Sequence, residues 1–247
     1  MIVVGFTQAG ALAKVAPEFP NTRFTIIDGR VDAPNVQSLT FKEHEGAFLA
    51  GLLAAQVSKS GKVGFIGGMD IPLIRRFQCA YEQGAQHTEP KAVVVSNMTG
   101  TTPAAWSDPT RGAELARSQF TAGADVVFAA AGGTGLGVYQ AAKEAGRLAI
   151  GVDSNQNGLH PGTMLSSMLK RVDVAVFTAV MDARAGRWKP GANVLGLKEQ
   201  GVGLAMDGHN AALVPTAVRR RLSQAEAAVA TGKLKVVDYT VANACTH

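Results

Sequence analysis

The chain has 247 residues, 47% of them hydrophobic and 17% charged, and carries a formal net charge of +5. That balance supports a sizeable core in one large or two modest domains and excludes a disordered chain. There is no apolar run of about eighteen residues to cross a membrane. Lys and Arg are scattered, and the one dense run, Arg219–Arg221, suits a solvated helix face rather than a nucleic-acid-binding stripe.

Residues 2–6 form a continuous apolar run, as in a buried parallel strand, and are too short and too poor in basic residues for a signal peptide. Residues 9–18 suit a helix, 23–28 a strand ending in an acid, and 36–41 a third strand. Residues 43–58 carry Phe48, Leu49, Leu52, Leu53 and Val57 at helical spacing, with Gly46 and Gly51 allowing close packing on a sheet. A strand at 62–66 ends in Gly67 and Gly68, and a helix with Pro72 in its first turn runs to Thr88. Strands at 92–97, 125–130 and 147–152 then alternate with helices at 110–122 and 136–145, the pattern of βαβ units and a mostly parallel sheet. After Asp153 the rhythm changes. A short strand at 164–168, a helix at 170–186, a strand at 202–206 and a long helix at 215–232 follow, so that two α/β lobes flanking a cleft are expected.

Ligands of open α/β sheets bind beyond the carboxyl ends of the strands. The segment 132–158 supplies a glycine-rich loop, a helix, an apolar strand and a carboxylate, so Gly132, Gly133 and Asp153 are expected to open onto one crevice. The glycines do not fit GxGxxG, and no Walker lysine follows, so a dinucleotide site is not indicated. Asp153 can accept two hydroxyls of a sugar diol or cap the following turn. Lys170 and Arg171 precede a helix, where cations oppose the dipole, which hints at a role beyond local stability. Trp106 and Phe6 each follow a strand and can stack on a planar ligand or close their own loops. Asp70 can face a ligand too, although capping the helix that follows is the simpler expectation.

His44, His87, His160, His209 and His247 show no metal or triad spacing, so no catalytic residue, metal site or cofactor is expected. Cys79 and Cys245 form no CxxC pair. Cys79 suits a buried thiol, and a disulfide between the two stays open.

The segment FKEHEGAFLAGLLAAQVSKSGKVGFIGGMDIPLIRRFQCAYEQGA resembles the basic membrane protein family, the PnrA-like and Med-like substrate-binding proteins. The likeness continues through WSDP, AAGGTGLGVYQAAKE, IGVDSNQ, SSMLKRVDVAV and GLKEQGVGLA, covering essentially the whole chain. It implies an α/β fold of the type I periplasmic-binding kind, with two Rossmann-like lobes, a hinge and a ligand closed in the cleft. The lobes would be 1–61 with 164–190, and 62–163 with 191–247. It further implies a solute-binding lipoprotein of an ABC transporter that takes a purine nucleoside or similar small molecule and docks on permease subunits. Asp153 and Lys170 match the ribose-binding aspartate and lysine, Trp106 the second lobe's stacking aromatic, and Gly132 and Gly133 the ribose-facing loop. Family members begin with a further strand, a GDKSFND-like loop and βα units, whereas this chain starts at the strand resembling IIGVGF. On that comparison the first lobe is incomplete at its start and an oligomer could form through it. A periplasmic or membrane-anchored location is implied, while the lack of signal peptide and lipobox leaves a cytoplasmic, Med-like sensing role open.

Overall fold

The computed structural model describes residues 1–245. The chain divides into two compact units, Met1–Lys42 with Lys170–Val202, and Glu43–Leu169 with the chain from Gly203 onward. The division thus falls at 42/43 and not at the expected 61/62.

In the first unit, strands β1 (Ile2–Val4), β2 (Phe24–Ile27) and β3 (Val36–Phe41) pair in parallel in that order. The helix expected at 9–18 is α1 (Ala9–Val15), and Pro17 turns its end into a 3-10 turn at Ala16–Glu18. Leu12 and Ala16 pack with Phe24, Ile26, Val31 and Val36 as this unit's core. Helix α6 (Val172–Arg184) also belongs here, as does β9 (Gly191–Leu195), an edge strand pairing in parallel with β3. That pairing moves 191–202 out of the unit expected for it.

In the second unit, α2 (Glu43–Val57) packs on α3 (Pro72–Thr88), which is why α2 leaves the first unit. Two glycines permit the contact: a Cβ on Gly51 would lie 1.9 Å from the Tyr81 carbonyl oxygen, and one on Gly84 would lie 1.9 Å from that of Phe48. The parallel sheet is built from β4 (Lys62–Met69), β5 (Val93–Gly100), β6 (Val126–Ala130), β7 (Leu148–Asp153) and β8 (Met164–Lys170). With β10 (Val202–Leu204), its spatial order is β10-β8-β7-β6-β4-β5. Helices α4 (Pro109–Thr121) and α5 (Gly135–Glu144) bury Leu115, Phe120, Val138 and Tyr139 against Ile66, Val127 and Ala149. Beside α3, Tyr81 and Phe77 join Phe65 and Phe128 in an aromatic cluster. Helix α7 (Thr216–Ala230) packs on α2, and the short α8 (Tyr239–Ala242) packs on α3. Cys79 is buried as expected, but it is disulfide-bonded to Cys245 rather than a free thiol.

Candidate functional site

The candidate residues lie at or just past the carboxyl ends of parallel strands in both units. In the first unit Phe6 opens a 3-10 turn just past β1 and is 41% exposed. Asp28 follows β2 with a left-handed backbone, φ 62°. Lys170 is the last residue of β8, so it sits on a strand end, and Arg171 occupies the N-cap position of α6. The Lys170 ammonium donates to Asp28 Oδ2 at 2.6 Å and lies 5.7 Å from the Phe41 ring centroid. The other carboxylate oxygen of Asp28 is buried and accepts no hydrogen bond within the described residues. Sequence reasoning passed over Asp28, although RFTIID and AIGVD share one signal, an apolar strand running into an aspartate.

In the second unit the ends of β7, β6, β4 and β5 bring together Asp153, Gly132, Gly133 and Trp106 on one edge. Asp153 is exposed and, like Asp28, left-handed, with φ 66°. Behind it lies Tyr139 of α5, whose phenol is pushed up first by burial and then by the Asp153 carboxylate. The backbone after Asp153 is held by an unforeseen network. Asn157, fully buried, accepts from Ser167 Oγ at 2.8 Å and donates to Asp207 at 3.1 Å. Asn155 donates to Asp207 at 2.7 Å, and Gln156 N donates to Ser167 Oγ at 2.9 Å.

The glycine loop and the tryptophan loop are tied together by one hydroxyl. Thr134, fully buried, donates through Oγ1 to the Ala105 carbonyl at 2.8 Å and accepts from Asp108 N at 2.8 Å. Trp106 ends a 3-10 turn between those partners. Its ring lies so close over Gly68 that a Cβ there would meet Cζ3 at 2.2 Å. The Gly132 and Gly133 backbones pass beside the Trp106 carbonyl, within 3.3 Å and 3.2 Å of where their Cβ atoms would stand.

Asp70 does not cap α3. The N-cap position is Ile71, without a side-chain cap, and both Asp70 oxygens accept from Arg75 at 2.7 Å. That bond holds the Asp70 carboxyl below its ordinary range. The first unit also contains a cavity of about 240 Å³ between α6 and the β3–β9 pair, bordered by Gln37, Arg171, Asp182 and Glu199; of the residues singled out in the sequence, Arg171 alone lines it. No group of three or more His, Cys, Asp or Glu among the described residues could hold a metal, and His247 lies outside them. None of the described helices is long and apolar enough to cross a membrane.

Residues 1–232 match the family described as ABC transporter substrate-binding protein PnrA-like. Basic membrane protein D of Borreliella burgdorferi (strain JD1) is 35% identical over 218 residues, 83% of this chain and 61% of that protein. The ABC transporter nucleoside-binding protein BmpA of Lactococcus lactis subsp. cremoris (strain MG1363) is 32% identical over 94% of this chain and 69% of its own length. The crystal structure of an ABC transporter system solute-binding protein from Aeropyrum pernix K1 superposes with a TM-score of 0.83 at 30% identity, covering 96% of this chain and 77% of that one. The chain spans about three fifths of the length of the first curated relative. Carrying this two-unit α/β fold, the chain belongs to the PnrA-like (Bmp) family of ABC transporter substrate-binding proteins.

Proposed function

We propose that this chain is the solute-binding component of an ABC transporter, taking a purine nucleoside and docking on permease subunits. The observation that carries it is the pair of half-sites of matched chemistry. One edge offers Asp153, an exposed carboxylate suited to a diol, with Trp106 and the glycine loop beside it. The other offers Lys170, Asp28 and the aromatic rings of Phe6 and Phe41. Leu169 pairs in register with Asp153, and Lys170 is the next residue in sequence after Leu169.

In this account Asp153 accepts two ribose hydroxyls, Lys170 donates to a ribose oxygen, and Trp106 and Phe6 stack on the base. Asp28 orients the ammonium with one oxygen and accepts a ligand N–H with the other. Each charge-assisted hydrogen bond contributes about 1.5–3 kcal/mol, so two or three of them supply about 3–9 kcal/mol, to which stacking adds, toward the roughly 8 kcal/mol of micromolar binding. A nucleoside-binding relative 32% identical over 94% of the chain supports the ligand class. A location outside the cytoplasm is favoured by the Cys79–Cys245 disulfide, a bond that persists in oxidising compartments. Isothermal titration with adenosine, guanosine and inosine tests the assignment. Saturable heat with at least one of them is expected, and none with all three overturns it.

A further inference from the structure

We propose that the C-terminal tail, residues 233–245, is a clip that fixes the first turn of α2, where the chain passes from the first unit into the second. The tail lies beyond the residues matched by the family. Three fasteners hold it to α3. Gln83 pairs its amide with the Val237 backbone, donating to the carbonyl at 3.0 Å and accepting from N–H at 2.9 Å. Arg76 donates to both oxygens of Asp238, through Nε at 2.9 Å and through a terminal nitrogen. Cys79 is bonded to Cys245 across 166 residues of sequence. Positions 76, 79 and 83 recur at helical spacing and so share one face of α3. Between them Asp238 also caps α8, accepting from Thr240 N at 2.9 Å and from its hydroxyl at 2.7 Å.

Arg76 makes this more than an anchored chain end. Its remaining terminal nitrogen donates to Glu43 at 2.7 Å, and Glu43 opens both α2 and the second unit. The next residue, His44, has Nδ1 3.7 Å from the same Asp238 carboxylate. A guanidinium is a rigid planar fork, so the bidentate grip of Asp238 sets the plane in which Glu43 is held. The pair is nearly dry, with Arg76 14% and Glu43 3% exposed at the side chain, so it is little screened by solvent. Losing the tail removes the grip that orients Arg76, and the first turn of α2 loosens with it.

Hydrogen exchange of the full chain tests the clip without any ligand, so its outcome is independent of the nucleoside assignment. Asp238→Asn weakens the Arg76 grip directly. A Cys245→Ser, Gln83→Ala double variant removes two of the three fasteners while leaving Arg76, Asp238 and Glu43 intact. Reduction is the third arm: a dithiol converts the Cys79–Cys245 disulfide to two protein thiols and is itself oxidised to a cyclic disulfide. Exchange at 43–47 is expected to speed up about tenfold or more in the two variants, with β4 unchanged. Reduction should accelerate 233–245 first. The clip is overturned if the double variant frees the tail while 43–47 stay protected, or if exchange rises equally in β4, which marks general destabilisation.

Discussion

At the scale of single residues, the two aspartates that end β2 and β7 share one backbone solution. Asp28 and Asp153 sit at φ 62° and 66°, a region that L-residues enter at a cost and that Asp and Asn tolerate best. Asn tolerates that backbone better than Ala, so Asp153→Ala should be about 1 kcal/mol less stable than Asp153→Asn in urea unfolding. Gly68 is constrained by space. A methyl there must displace the Trp106 indole or buckle β4, and Gly68→Ala should cost about 1–3 kcal/mol and alter the near-ultraviolet dichroism of Trp106. The sequence pointed to Asp153 as an acid ending an apolar strand, to Lys170 as a cation before a helix, to Trp106 as an aromatic after a strand and to the glycines as one loop. It concealed the bonds that Asp70 makes to Arg75 and that Asp28 makes to Lys170, because a carboxylate's partner depends on tertiary placement and not on spacing.

Among the elements, most helices and parallel strands were legible from period and punctuation. Strand β9 was not: GANVL is short and almost entirely exposed, so no buried face patterns it, and only its pairing with β3 makes it a strand. The tail helix α8 spans four residues and leaves no periodicity to detect. The assignment of α2 to the first lobe failed for a related reason. Its sequence is apolar on every side, and which neighbour it chooses depends on the glycine notches at 51 and 84. Gly84→Ala, forced against the Phe48 carbonyl, should lower stability by about 3 kcal/mol in urea unfolding. Helix α6 shows the opposite situation, with Phe177 66%, Val180 50% and Val174 42% exposed along one stripe. Nothing in the apolar pattern of that helix distinguished this stripe from a core-facing one.

For the whole molecule, the tail's charge network links stability to pH. Burial alone raises the Asp238 carboxyl, but hydrogen bonds from Arg76 and Thr240 and the Arg76 charge outweigh it, holding the group at about 2 against an ordinary 3.8. A carboxyl depressed in the folded state contributes stability above its unfolded value and loses it as pH falls through the folded one. Thermal melts should therefore lose part of their midpoint between about pH 4 and pH 2, and Asp238→Asn should flatten that loss.

The central claim is that Asp153 and the Asp28–Lys170 ion pair both act on one nucleoside. Titration calorimetry on Asp153→Asn, and on the charge-neutral pair Asp28→Asn with Lys170→Gln, tests it most directly, with Asp70→Asn as the reference. The account predicts that each of the first two weakens nucleoside binding about tenfold or more, while Asp70→Asn stays within about threefold of the parent. Unchanged affinity in the first two variants, or a loss confined to one unit's residues, would contradict it.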